Sequence, residues 1–353
     1  IWWKLAGYDE LDNELARELD GVLKGLEMSF TIVEQAPARM NRSELAVPAS
    51  KMRFLEKAAQ STADVVFLDL EDAVAPDEKP QARKNAIQAI QELDWGNKTL
   101  SVRVNGLDTH YMYRDVIDII EQSGERLDML MLPKIGTASD IYALDMLCTQ
   151  VEDAVGRKKR LGFEIIIETA LGMANVDQIA AASKRNESLH FGVADYAAST
   201  QARTTMIGGP HADYGVLTGS AEDKNREYHW GDMWHYAVSR MVVAARAHGL
   251  RAVDGPFGDF SDLEGFRAQA NRASVLGCEG KWAIHPSQLD LANEVYSPSD
   301  TDITKAKRIL DAMVEATAQG LGAVSLDGRL IDIASIKQAE NLVKKAEQIA
   351  ASS

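Results

Sequence analysis

The sequence predicts an α/β protein: a (β/α)8 TIM barrel with a C-terminal helical lid extension. Three observations predict it. Short β-branched or apolar runs alternate with longer segments of helical period, the pattern of repeated βα units and a parallel sheet. Eight such runs can be counted before Pro298, and nearly every one ends in a charged or strongly polar residue. Eight strand–helix units close into a barrel more naturally than they form an open sheet, which would leave two edges to protect.

Taken in order, residues 1–27 carry seven acids against three bases and place Leu11, Leu15, Leu19 and Leu23 at helical spacing. They read as an appended amphipathic helix of unassigned role. They have neither the basic start and continuous apolar centre of a signal peptide nor the basic character of a transit peptide, and Met28 is an alternative start. The barrel is expected over residues 28–298. Its strands are Glu44 to Val47, Val65 to Leu70, Leu100 to Val104, Met129 to Leu132, Gly162 to Ile167, Leu189 to Val193, Arg251 to Val253 and Gly280 to Ile284. Helices are expected near 51–60, 77–93, 110–122, 138–153, 174–184, 231–248, 262–276 and 287–294. A glycine-rich polar insertion at 199–230 interrupts the rhythm after the sixth strand, where long barrel loops are usually functional. Residues 299–353 form the extension: an amphipathic helix at 302–318, a glycine-bounded hairpin at 322–331 and a last helix from Ser335.

The chain has 53 acidic and 38 basic side chains among 353 residues, a formal charge of −15. Nucleic-acid binding is disfavoured, because it requires clustered Lys and Arg. No apolar run approaches the roughly 20 residues of a membrane helix. Cys148 and Cys278 are too few for a disulfide framework, which favours a reducing, cytoplasmic setting.

Barrel enzymes place their chemistry where the strands end, in the loops over the packed interior. Here the second strand runs into Asp69, Glu71 and Asp72, the third carries Arg103 and Asn105, and the fourth ends at Lys134. The remaining ends are Glu168, Asp195, Asp254 and His285. Any one of these alone is more simply a helix cap or a solvated rim residue. Strand interiors read as apolar, however, and folding gives no reason for so many charges to converge. Glu168 and Asp195 fall on adjacent strands, about one strand spacing of ~5 Å apart if both face the mouth. Such a pair suits a hard divalent cation, with ion pairs to Arg103 and Lys134 as the alternative. No cluster of His and Cys suggests zinc. At least one of Glu71 and Asp72 reads as a cap of the next helix, His285 as a rim residue, and Tyr228, Trp230 and Trp234 as packing. His110, His211 and His229 suggest no partner.

Longer segments carry a resemblance. They are NRSELAVPAS from 41, DVVFLDLEDAVAPDEK from 64, LPKIG from 132, FEIIIETALGMANV from 163, FGVADYAAST from 191, GKWAIHPSQLDLANEV from 280 and GAVSLDGRLIDIASIKQAE from 322. In these the chain resembles the malyl-CoA lyases of the HpcH/HpaI aldolase and citrate lyase β-subunit superfamily, in register over residues 28–350. The resemblance implies magnesium, with manganese as a substitute, a CoA thioester substrate, and homo-trimers or hexamers. It implies Glu168 and Asp195 as metal ligands and Arg103 as the arginine on substrate or thioester oxygen. It also implies that Asp332 is an acid and base presented to a neighbouring subunit's barrel. Ala46 and Ala49 depart from the aromatic and glycine of many members' first loop, which leaves adenine stacking there unsupported. Lys51 and Lys57 are the expected partners of the CoA phosphates, or else solvated helix charges.

The implied reaction is reversible cleavage of (S)-malyl-CoA to acetyl-CoA and glyoxylate, with β-methylmalyl-CoA giving propionyl-CoA as a further substrate. A thioesterase on the same pocket and a non-catalytic CoA-binding paralogue are the alternatives.

Overall fold

The computed structural model describes residues 33–352, so the extension expected over residues 1–27 and the start at Met28 lie outside the described residues. Eight parallel strands close into a barrel: β1 (Ser43–Pro48), β2 (Val65–Asp69), β3 (Thr99–Arg103), β4 (Met129–Leu132), β5 (Gly162–Ile167), β6 (Asn186–Phe191), β9 (Arg251–Asp254) and β10 (Gly280–Ala283). Their order around the barrel is β1-β10-β9-β6-β5-β4-β3-β2. Strands such as VVFLD and MLML are buried along their whole length, as parallel strands covered on both faces must be. The numbering gap is filled by β7 (Gly215–Leu217) and β8 (Tyr228–Trp230), a two-stranded hairpin in the insertion. Trp234 packs in the core against Phe191 and Tyr196, as expected. Tyr228 and Trp230 do not pack: they lie exposed on the hairpin.

The helices between strands are α1 (Met52–Ala59), α2 (Lys79–Glu92), α3 (Met112–Gln122), α4 (Ala138–Val155), α5 (Ala170–Ala174), α6 (Val176–Ala180), α7 (Val193–Ser199), α8 (His235–Ala247), α9 (Leu263–Leu276) and α10 (Leu289–Val295). Local chemistry fixes their ends. The Asp140 carboxylate accepts from the Gly136 and Thr137 backbone N–H groups where α4 begins, and α4 stops at Gly156 in the left-handed region, φ 68°. The single helix expected over 174–184 is instead the short pair α5 and α6, broken at Asn175, whose side chain donates to the Gly136 carbonyl. The sixth strand begins and ends earlier than expected, so Asp195 sits in the first turn of α7.

Side chains alternate along each strand, so positions two apart share a face. Inside the barrel this builds three layers. The upper layer holds Asp69, Arg103 and Glu168 at the strand ends. Beneath it lies an apolar floor of Phe67, Met131, Ile166, Val253 and Trp282, with Ala46 packed against it. The lowest layer is polar: Glu44, Ser101, Glu164, Ser188 and His190 have no exposed surface. The expectation of an apolar interior fails there, because the same two-residue period that brings Glu168 to the mouth also turns Glu164 inward. A register shift opposite Phe163 and Glu164 pairs Glu164 with Ser188 and sets Glu187 apart from the ladder.

After Pro298 come α11 (Asp300–Ala318), the antiparallel pair β11 (Val324–Leu326) and β12 (Arg329–Ile331), and α12 (Ile333–Ser352). α11 and α12 pack chiefly on each other. Lys345 ties α12 to the barrel: its ammonium donates to the Glu279 carbonyl at 3.3 Å and lies 6.0 Å from the Tyr296 ring. Glu279 immediately precedes β10, so this anchor lies at the end opposite the mouth. Among the described residues, no helix is long and apolar enough to cross a membrane.

Candidate active site

β2 and β3 run side by side with Asp69 paired to Arg103, and their last side chains form the most tightly held contact of the mouth. Arg103 Nε and Nη2 donate to the two Asp69 carboxylate oxygens at 2.7 and 2.6 Å. Asp69 also accepts from the backbone N–H groups of Glu71 and Ala73, which clamps the following turn around it. The guanidinium lies over the floor, 5.8 Å from the Phe67 ring and 5.7 Å from Trp282. Burial opposes the Arg103 charge, but Asp69 outweighs it and holds the guanidinium above its ordinary range. Arg103 is therefore a rigid cation, with Nη1 left facing Glu71 at 3.4 Å and Asp72 at 3.8 Å.

Lys134 is the second cation. Its ammonium bonds Glu71 and lies 3.5 Å from Asp72 and 3.8 Å from Asp195. Burial works against its charge, and the Glu71 bond overrides that and raises it. Its backbone has φ 55°, the left-handed region that a side chain with a Cβ seldom adopts. That turn lets its N–H donate to Glu168 Oε1 at 2.7 Å while its side chain reaches across to Glu71. One residue thus engages Glu168 through its backbone and Glu71 through its side chain. Glu71 is not a helix cap: it is buried between Arg103 and Lys134, and burial holds its carboxyl above the ordinary range despite those cations. Burial also works against the more exposed Asp72, but its bond with Glu71 and the same two cations lower it.

Glu168 is only 2% exposed. Burial, then the charge of Asp195, pushes it up to about 8, while Arg103, Lys134 and the Lys134 N–H partly offset the rise. Gly192 gives it room, since a Cβ there would meet Glu168 Oε2 at 2.4 Å. Glu168, Asp195, Arg103, Asp69 and Asp72 line one open cavity of about 260 Å³ above Trp282. The structure thus brings together Glu168, Asp195 and Arg103.

Other expected residues lie elsewhere. Lys51 is exposed in the loop that leaves β1 at the mouth, and Lys57 is exposed in the last turn of α1. Neither lines the cavity, and nor does Asp332. Asp332 accepts from the Ala334 and Ser335 N–H groups at the start of α12. Asp254 is consumed in a buried pair with Lys281 at 2.6 Å. His285 accepts from the Ser287 N–H and stacks on Phe260, a rim residue as expected. Partners do exist for the other three histidines: His110 packs on the Tyr111 ring, His211 accepts from the Asp213 N–H, and His229 bonds Thr218. Sequence reasoning missed Gly192 and Trp282 as parts of the site. The signal for Gly192 was a glycine at the end of a strand three residues before Asp195.

A closed barrel whose mouth sets a fixed guanidinium and an ammonium among converging carboxylates defines a barrel enzyme with its chemistry at the strand ends. The chain belongs to the HpcH/HpaI aldolase/citrate lyase family, whose model matches residues 42–286. It is 55% identical over 320 residues to an L-malyl-CoA/beta-methylmalyl-CoA lyase of Rhodobacter capsulatus, covering 91% of this chain and 99% of that one. It is 36% identical to a (3S)-malyl-CoA thioesterase of Cereibacter sphaeroides, covering 88% and 96%. Among solved structures it resembles the protein CitE of Mycobacterium tuberculosis in complex with magnesium, acetoacetate and coenzyme A. That match has TM-score 0.66 and 26% identity, and covers 87% of this chain and 98% of that one.

The raised Glu168 carboxyl has a measurable consequence. Between the ordinary value of 4.5 and about 8, the folded chain keeps a proton on Glu168 that the unfolded chain releases. The unfolded state then binds fewer protons, so stability falls as pH rises through that window. In buffer free of divalent ions, urea unfolding of wild type should show this decline, and Glu168→Gln should flatten part of it. Identical pH slopes in the two proteins would show that Glu168 is not perturbed.

Proposed function

We propose that this protein reversibly cleaves (S)-malyl-CoA to acetyl-CoA and glyoxylate, and β-methylmalyl-CoA to propionyl-CoA and glyoxylate. The observation that carries this reading is the meeting of Glu168, Asp195 and Arg103 on one cavity, at the positions the resemblance assigns to metal ligands and substrate arginine. The identity to the Rhodobacter lyase supports the reaction, and the thioesterase is the more distant relative.

Magnesium, or manganese in its place, fits Glu168 and Asp195. Both offer only oxygen, their mutual repulsion calls for a cation, and Gly192 leaves the space beside Glu168 Oε2 clear of a side chain. When bound, the ion would draw electron density from the oxygens of a 2-hydroxy-carboxylate. The chain's own residues do the rest. Cleavage requires loss of the hydroxyl proton and passes the bonding electron pair to the thioester enolate. Arg103, held rigid by Asp69, presents a guanidinium that needs no reorganisation as charge grows on the enolate oxygen. The apolar floor borders that charge from below. Asp332 from a neighbouring subunit's extension delivers the proton to the enolate carbon, and removes it in condensation. Lys51, in the loop at the mouth, suits a CoA phosphate better than Lys57, which α1 carries about 9 Å further along its axis. The assembly implied is a homo-trimer or hexamer.

Purified protein supplied with malyl-CoA should release glyoxylate and acetyl-CoA only when a divalent ion is present. Malate with free CoA would instead establish the thioesterase, and full activity after exhaustive chelation would remove the metal from the mechanism. Arg103→Lys should lose on the order of 10²–10³-fold in kcat/KM, since a lysine cannot keep both Asp69 bonds and still face the substrate. Turnover near that of wild type would return Arg103 to a structural part. Inactive Asp332→Ala and Glu168→Ala proteins, mixed with subunit exchange verified by mass, should regain activity because some interfaces join an intact extension to an intact mouth. No recovery despite exchange would place each extension over its own barrel.

A further inference from the structure

We propose that the polar layer beneath the floor is a second cation site, in which Glu44 and Glu164 bind one hard divalent ion through oxygen inside the closed barrel. The two carboxylates come from β1 and β5 and have no exposed surface. One oxygen of each and a nitrogen of His190 lie within 4.8 Å of one another. Glu44 Oε1 accepts from the Asn41 amide at 2.5 Å, but Glu44 Oε2 and both oxygens of Glu164 have no hydrogen-bond partner. Two further buried oxygens, Asn41 Oδ1 just before β1 and Ser101 Oγ beside Glu164, also lack a well-formed hydrogen bond.

Arg251 and Arg39 act on this charge only from beyond ion-pair distance. Arg39 Nε and Arg251 Nη2 both bond Glu187 Oε2, at 2.6 and 3.0 Å. Among the described residues, the only basic side chain within ion-pair distance of Glu44 or Glu164 is His190, at 3.4 and 3.9 Å. His190 cannot serve as that cation. Trp282 Nε1–H donates to its Nδ1 at 2.9 Å, so Nδ1 is the bare nitrogen and the ring proton sits on Nε2, toward Ser188 Oγ at 2.8 Å. Burial, helped by Arg251, depresses the ring to about 3 and keeps it neutral. With both nitrogens engaged, His190 offers no lone pair to a metal either. The donors are therefore all oxygen, which selects magnesium, calcium or manganese over zinc or copper.

Burial, then Glu164, lifts Glu44 well above the ordinary range, and burial lifts Glu164 to about 7 although the nearby Ser101 hydroxyl and the charges of Arg251 and Arg39 work the other way. A proton shared between them is the competing arrangement. One proton joins only two oxygens, whereas an ion of six or more ligands can engage both carboxylates and take further oxygen donors besides. The apolar floor separates this layer from the mouth, so the ion takes no part in the cavity chemistry, and it enters as the chain folds.

The test uses the full chain carrying Glu168→Ala, which removes the mouth as a source of bound metal and makes the readout independent of catalysis. After EDTA and desalting, mass-spectrometric metal analysis should find about one magnesium, calcium or manganese ion per chain. Protein unfolded in urea with chelator and refolded without metal should gain roughly 5 °C or more in Tm when one of those ions is added during refolding. Glu164→Gln in the same background should carry no ion and show no such gain. If that variant fails to fold, the Glu168→Ala protein decides alone. Absence of a retained ion together with a Tm indifferent to all three ions would overturn the site in favour of a shared proton or buried water.

Discussion

Five carboxylates, those of Asp69, Glu71, Asp72, Glu168 and Asp195, converge where the barrel opens, and among the described residues their ion pairs are made with two cations, Arg103 and Lys134. Like charges gathered in a partly desolvated space must be separated, protonated or neutralised. The protein neutralises some of them and holds others toward their protonated forms. Asp69 is spent entirely on Arg103 and on two backbone N–H groups, so it positions rather than reacts. Glu71 and Glu168, the more buried of the others, are held toward their protonated forms. The remaining deficit of positive charge is what makes the mouth selective. An oxygen-bearing anion is repelled unless a cation accompanies it, which couples substrate binding to the proposed ion.

This arrangement depends on a floor that conducts no charge. Phe67, Met131, Ile166, Val253 and Trp282 fill the barrel beneath Arg103, so the guanidinium rests on aromatic faces instead of water. Trp282 joins the two polar layers, facing the cavity with its ring and holding His190 with its N–H. Electrostatic interactions on either side are correspondingly strong, because little water is present to screen them.

The barrel and the mouth were legible because both follow from strand ends. A run such as FEIIIE declares a strand by its apolar centre and a candidate site by its last residue, which made Glu168 legible, while Asp195 lies a turn into the following helix and its role came from the resemblance. The lowest layer was not legible, because Glu44, Glu164 and His190 lie within segments read as apolar runs, and a strand read as a run hides its period. Counting back from Glu168 in steps of two gives Ile166 and Glu164, which is the only signal. Lys134 shows the opposite limit. LPKIG marks a strand end, yet no propensity announces that its lysine adopts φ 55° and holds two acids at once.

Asp332 could not be placed by pattern at all, and its surroundings explain why an isolated chain is an incomplete catalyst under the proposed mechanism. Its hydrogen bonds with Ser335 and Ala334 hold its carboxyl below the ordinary range, the wrong direction for a group that must give up a proton near neutral pH only when an enolate forms. The extension is anchored at the end of the barrel opposite the mouth, and its two helices are satisfied largely by each other. Leu321 and Leu330 remain exposed around the hairpin that carries Asp332. Insertion of that hairpin into another subunit's mouth would bury those side chains and move Asp332 among the carboxylates of the cavity. Both desolvation and like charge would then raise its carboxyl. Assembly would thereby create the acid as well as position it, so proton delivery would be confined to interfaces where an extension and a mouth have met.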